Sequence, residues 1–358
     1  MMKLSRWALL LSLFIFSVTA CTKSGDKSPI AASVAAAPKV LNLYCWANYF
    51  SPDVIKRFEE KAKVKVNMDF FSSNEELLAK LQAGARGYDL IVPTAYLVKA
   101  LKELKLIVPL GRLDWPELQT LTSRFKAPDF DATHEYTVPY SWGTTGIAVN
   151  RAKIKTKVDS LSWFFDHPEL KGQVTMLDDA PSVIGAALKY LGYPYNEGGD
   201  EAFAKVKALL SKQKKFLKSY TPESQPVLES GEVAIAQAYS GDVLQVKNRK
   251  NPNIDFVLPK EGSELFVDSL AIPTGAPAPE LAKEFMRFTL QKDVALIQVK
   301  HLFFSPVVDI VKMPELGALA DNIAVFPSDA SLSKFEMMQE NPERIEKIQR
   351  LWTELKSM

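Results

Sequence analysis

The residues that could do chemistry in this 358-residue chain gather where strands are expected to end. Trp46 and Tyr49 follow a first apolar run, and Thr94 and Tyr96 follow a third. Tyr239 and Asp242 flank a Ser240-Gly241 turn, and Phe266 and Asp268 lie inside a late apolar segment. Aromatic faces attract cations by roughly 0.5–2 kcal/mol each. A carboxylate within a run such as 265–273 costs free energy unless a cation neutralises it. Asp268 therefore calls for a positive partner, either a lysine or arginine of the chain or a cationic ligand, and the sequence leaves both open. The aromatic residues could equally serve a core.

Catalytic parts are missing by comparison. The three histidines, His134, His167 and His301, form no HExxH pair. No GxSxG elbow and no Walker A loop occurs. Asp178 and Asp179 could exchange protons, but no nucleophile or metal set stands beside them. We therefore expect no enzyme, no cofactor and no metal. The chain has 44 lysines and arginines against 42 aspartates and glutamates. That balance gives no support for a nucleic-acid partner, and 47% hydrophobic residues with 24% charged is a globular composition.

The positioning elements alternate. Residues 40–46 read as a strand, and Ser51-Pro52 opens a helix to about residue 61. Alternation over 64–71 gives a second strand, a Ser73/Glu76 capping box opens a helix over 74–82, and 89–93 is a short buried strand. Strand, helix, strand, helix, strand implies an open, mostly parallel α/β sheet, whose ligands sit at the carboxyl ends of the strands, here 46–49, 71–74 and 93–96. Further on, 173–177, 234–239, 256–259 and 266–273 read as strands. Helices are expected near 182–191, over 201–213 and 279–290, and from Asn341-Pro342 onward.

The first twenty residues read as an export signal. Lys3 and Arg6 precede a mostly apolar run over 7–18, and Val18-Thr19-Ala20-Cys21 resembles a lipobox whose cysteine is lipidated. A signal peptide cut nearby, or an uncut anchor, is the alternative. Residues 21–38 read as a flexible tether. Removing 1–20 takes Lys3, Arg6 and no acidic residue, so the formal charge falls from +2 to zero. With Cys21 lipidated, Cys45 is expected to be a buried free thiol.

Taken in order, several segments resemble the spermidine/putrescine-binding proteins of bacterial ABC importers. They are Leu43-Tyr44-Cys45-Trp46-Ala47-Asn48-Tyr49, Ser73-Asn74-Glu75, Gly87-Tyr88-Asp89-Leu90-Ile91-Val92-Pro93-Thr94 and Val138-Pro139-Tyr140-Ser141-Trp142-Gly143-Thr144-Thr145-Gly146-Ile147. Ser240-Gly241-Asp242-Val243, Leu258-Pro259-Lys260-Glu261-Gly262 and Asp268-Ser269-Leu270-Ala271-Ile272-Pro273 continue the series, which covers nearly all of 39–358.

The resemblance implies a two-lobed periplasmic-binding-protein fold of type II, each lobe a mostly parallel sheet flanked by helices, with the ligand in the cleft between them. Lobe 1 is expected over 39–143 plus 267–311, and lobe 2 over 144–266 plus 312–358. By position, Trp46 and Tyr49 match one aromatic wall, and Thr94 and Tyr96 the other. Asp179 and Asp268 match carboxylates that hold amino groups, and Asp242 an aspartate of putrescine-type members. Tyr239 and Phe266 stand where tryptophan is frequent, and Gln339 matches a C-terminal glutamine near the ligand. Ser182 stands in place of a usual glutamate, and Phe303 in place of a tyrosine. The implied protein is a monomeric, lipid-anchored receptor outside the cytoplasmic membrane, which passes a polyamine to an ABC permease in the inner membrane. A sensory binding protein or a receptor for another small cationic solute remains an alternative.

Overall fold

The first strand, β1 (Lys39–Trp46), turns Leu41, Leu43 and Cys45 to one face and Tyr44 to the other, because successive strand side chains alternate. The structure, a computed structural model, describes residues 39–358 apart from residue 340. The export signal, the tether and Cys21 lie outside the described residues. β1 pairs in parallel with β2 (Val64–Phe71) and β3 (Leu90–Ile91). The crossover helices Pro52–Ala62 and Asn74–Gln82 supply the connections. Ser73 caps the second of these, its hydroxyl accepting from the Glu76 N–H at 3.1 Å, worth about 1 kcal/mol. The Glu76 carboxylate accepts from the Ser72 N–H, one residue before the capping-box position.

The longest strand, β4 (Thr137–Asn150), is buried along all of its fourteen residues. No residue of it faces solvent, so it shows no polar alternation and no expected element covered it. Five more strands follow: β5 (Val174–Leu177), β6 (Ser219–Thr221), β7 (Ile235–Tyr239), β8 (Ile254–Val257) and β9 (Leu265–Ala271). The two-residue β10 (Ser305–Pro306) completes the set. The sheet order is β2-β1-β3-β9-β4-β7-β5-β6, with β8 and β10 paired to β4. The outer pairs, such as β5 with β6 and β7, are parallel, and β4 runs antiparallel to β9, β7, β8 and β10.

β4 joins the two halves. Up to Thr144 its partner is β9, and from Thr145 its partner is β7. Beside that exchange the returning chain enters β9, and the Thr145 N–H donates to the Glu264 carbonyl at 3.1 Å. Two principal cores lie on either side. Leu41, Leu90, Val138, Leu270 and Phe285 belong to the first, and Ile147, Phe165, Val183, Val206 and Ile235 to the second. This is the two-lobed α/β architecture that the resemblance implied. The cores divide the chain differently from the expected boundaries, however. Leu265 and Phe266 join the first core because they pair with the first half of β4. Leu316, Ala324, Val325 and Leu332 also join the first core, and only the helix Pro342–Ser357 sends Ile348, Leu351, Trp352 and Leu355 into the second. The last passage between cores thus follows residue 337 rather than 311.

Cys45 is fully buried, and burial pushes its thiol up to about 12, as suits a core thiol. Among the described residues no helix is long and apolar enough to cross a membrane.

Candidate functional site

Three strand ends meet at one carboxylate. Asp268 sits in β9, 4% exposed, where it bridges to Thr94 just past β3. The Tyr49 hydroxyl donates to Asp268 Oδ2, and the Thr94 hydroxyl donates to Oδ1 at 2.6 Å. Asn74, the first residue of its helix after β2, holds Thr94 in turn. Its Nδ2 donates to Thr94 Oγ1 at 3.0 Å, and its Oδ1 accepts the Thr94 N–H at 3.1 Å. Tyr49 is fixed through its carbonyl, which accepts from Gln298 Nε2 at 2.9 Å and Tyr140 Oη at 3.2 Å. No lysine, arginine or histidine pairs with Asp268 among the described residues. Burial pushes its carboxyl up to about 6, against the pull of the Thr94 and Tyr49 hydroxyls. Of the two partners that the sequence leaves open, the described residues supply no cation.

A second carboxylate faces the cleft from the other half. Asp179 caps the helix Ala180–Tyr190, its Oδ1 accepting the Ser182 N–H at 3.0 Å and its Oδ2 the Tyr239 hydroxyl at 3.3 Å. Burial raises its pKa, and the charge of Asp178 adds to that. Asp178 itself points away, paired with Lys356 at 2.7 Å, which dissolves the adjacent pair as acid–base machinery.

Glu264 was missed by the sequence reading. It lies 6% exposed at the entry to β9 and accepts the Ser182 hydroxyl at 2.6 Å. Burial raises its pKa first, followed by the negative charges of Asp179 and Asp268. The signal for it was present: Glu264, Phe266 and Asp268 occupy alternate positions, which places them on one strand face. The strand was expected to begin two residues later, at Phe266. Glu75, exposed at the same mouth, is raised by its surroundings and by the charge of Asp179.

Aromatic rings link these anions. Tyr239 meets Phe266 edge-on at 5.4 Å, Phe266 meets Phe304 at 5.7 Å, and Phe304 meets Tyr49 at 6.0 Å. The ring in this series is Phe304. Its neighbour Phe303, which by the resemblance stands in place of a tyrosine, caps the helix Lys292–Leu302 in a left-handed conformation. Glycines make room for it. A Cβ on Gly143 would come within 2.6 Å of the Phe266 ring, and one on Gly241 within 2.5 Å of the Phe304 ring. Ser240-Gly241 is accordingly the first turn of the helix Ser240–Arg249 rather than a free turn. Asp242 on that helix accepts from Gln225 Nε2 at 2.9 Å, and burial pushes it up to about 6.

The remaining candidates are placed less evenly. Tyr96 lines a small, open void together with Thr94, Glu264, Phe266, Met337 and Met338. Trp46 is half-buried against Phe71, its indole N–H donating to the Val92 carbonyl at 3.1 Å. Gln339 is not brought in: it is exposed, with its N–H on Asn196 Oδ1 at 2.9 Å. Residue 336 is strapped to 263 and 265 by backbone hydrogen bonds, and alternation from there turns Met338 inward. A larger void of about 390 Å³ behind Tyr140 and Gln298 is lined by no carboxylate, lysine or arginine. The site as built can hold a flexible apolar chain bearing positive charges.

Comparison with known proteins agrees with that chemistry. Residues 53–325 match the family described as bacterial extracellular solute-binding protein. The putrescine/cadaverine-binding protein of Pseudomonas aeruginosa is 30% identical over 342 residues, covering 91% of this chain and 96% of that one. Among solved structures, the spermidine/putrescine ABC transporter substrate-binding protein PotD of Streptococcus pneumoniae superposes with a TM-score of 0.77 at 25% identity, over 89% of this chain and 99% of that one. The TpPotD lipoprotein of Treponema pallidum gives 0.78 at 28% identity, over 88% and 99%.

Proposed function

This chain belongs to the bacterial extracellular solute-binding proteins, which are not enzymes, and we propose that within that family it captures polyamines. The observation that carries the reading is Asp268, a buried carboxylate that receives two hydroxyl hydrogen bonds and, among the described residues, no cation. In a closed cleft such a group is costly until a cation arrives. An ammonium group supplies the missing charge, while Phe266, Tyr239 and Phe304 cover the methylenes. The two sets of strands around the two cores act as the lobes that close over it. The names of the similar proteins, putrescine/cadaverine-binding and spermidine/putrescine-binding, support the same ligand class.

We further infer that the protein is lipid-anchored through Cys21 outside the cytoplasmic membrane and delivers its ligand to an ABC permease. The lipoprotein nature of the Treponema relative supports the anchor. Labelling with a radioactive fatty acid should mark the wild-type protein and not Cys21→Ala; equal labelling of both would remove the anchor.

The ligand class is tested by a thermal-shift panel of putrescine, cadaverine, spermidine, spermine, lysine and arginine. A ligand at a thousandfold excess over its Kd adds about 4 kcal/mol to the native state, which should read as a rise of several degrees for a domain of this size. Polyamines should shift the transition and the amino acids should not. A response to the amino acids alone would move the assignment to another cationic solute.

A further inference from the structure

Glu264 has no part in the site as the sequence presents it, yet its surroundings are those of a ligand group. It is more than nine-tenths buried, lines the void beside Tyr96 and Phe266, and has the Ser182 hydroxyl on one oxygen; among the described residues no cation pairs with it directly, the buried Arg344 acting on it only at longer range. The backbone pins it in place: its carbonyl accepts from Thr145 where β4 changes partner, and its neighbours Ser263 and Leu265 bond to residue 336. Asp179 and Asp268 are both near enough to act on it electrostatically. Along β9, Glu264, Phe266 and Asp268 share one face, and four residues of strand separate the two carboxylate positions by about 13 Å. An aromatic ring flanked by two anions at that spacing matches an alkyl chain with ammonium groups at both ends. A four-carbon diamine spans only about 6 Å between nitrogens, and a spermidine-type triamine about 11 Å, from bond lengths near 1.5 Å.

We propose that Glu264 is a specificity-determining ligand carboxylate that, with Asp268, selects a triamine over a diamine. This rests on the polyamine reading above. A diamine satisfies Asp268 and leaves Glu264 without a cation, whereas a triamine places a further ammonium against Glu264 and Ser182.

The test is titration calorimetry of the ligand-free protein with putrescine and spermidine, for wild type, Glu264→Gln and Glu264→Asp, with melting curves to establish folding. Glu264→Gln removes a buried charge and keeps the shape, so its ligand-free melting temperature should equal or exceed that of wild type. The wild type should prefer spermidine. Glu264→Gln should lower the spermidine-to-putrescine affinity ratio by about 30-fold or more, and Glu264→Asp should restore part of it. A ratio unchanged within about threefold, or a wild type that binds putrescine and ignores spermidine, overturns the proposal while sparing the polyamine reading. A wild type that binds neither overturns that reading, and this proposal with it.

Discussion

Replacing Asp268 by alanine should weaken polyamine binding by between about 30-fold and several thousandfold, because removing one partner of a desolvated charge pair costs roughly 2–5 kcal/mol. The effect is large for a structural reason. Asp268 is buried, its two oxygens are held by Tyr49 and Thr94, and Thr94 is itself held by Asn74, so the carboxylate is set before the ligand arrives. No side-chain rearrangement is left to offset its loss. Alanine also strands the two hydroxyls without an acceptor, at about 1–3 kcal/mol for a buried polar group. Asp268→Asn separates the two effects, since its amide oxygen still accepts from Thr94. Calorimetry and melting curves on both variants should show binding lost in each and the ligand-free asparagine variant at least as stable as wild type. A folded variant with a lowered melting temperature and unchanged affinity would make Asp268 a core residue.

Across pH 5 to 8, ligand affinity and ligand-free stability should move in opposite directions. Burial raises the Asp268 carboxyl to about 6, from an ordinary value of about 3.9. Between those two values the folded, ligand-free state holds more protons than the unfolded state. Stability contributed by Asp268 therefore falls as pH rises through that window and stays low above it, by on the order of 3 kcal/mol. The raised carboxyls of Asp179, Asp242, Glu264 and Glu75 act in the same direction. A bound ammonium favours the charged carboxylates and so binds more tightly as pH rises. His134 and His301, lowered by burial, oppose the stability trend below about pH 6.5, and both lie away from the cleft. Paired acids such as Glu336, on Lys189, lose their contribution only below the ordinary carboxylate range. The clean readout is therefore the polyamine-induced rise in melting temperature, which should grow from pH 5 to 8 in wild type and vanish at every pH in Asp268→Asn. A rise that shrinks with pH would contradict the assignment.

The sequence makes the local elements legible where one side of the chain faces water. Alternation marks β2 and the Ser73 cap marks the following helix, and both fall where expected. β4 escaped because both its faces are covered and Pro139, Gly143 and Gly146 interrupt its pattern. Those residues have structural reasons: Gly143 makes room for Phe266 and Phe304, and Gly146 for Phe256. At the site, an aspartate in an apolar run marks Asp268 as a residue that needs polar or charged partners, and the structure supplies two hydroxyls. Whether a charged partner came from the chain was a three-dimensional question. The errors were errors of register by a residue or two. Gln339 lies exposed beside the inward-turned Met338, and β9 begins at Leu265, one residue before the expected Phe266 and just after Glu264. In a strand or strap a shift of one residue exchanges the faces, so short shifts decide which side chains meet the ligand. The segment from 312 through 337 packs on the first core by contacts that no local pattern encodes.

The central claim is that this cleft holds a polyamine on Asp268. Isothermal titration of spermidine and putrescine into residues 39–358, unfolded and refolded to remove any carried ligand, tests it most directly. Saturable one-to-one binding of at least one of them, abolished in Asp268→Asn, is the result predicted. Absence of binding heat with a correctly refolded wild type, confirmed by a displacement assay, would contradict it.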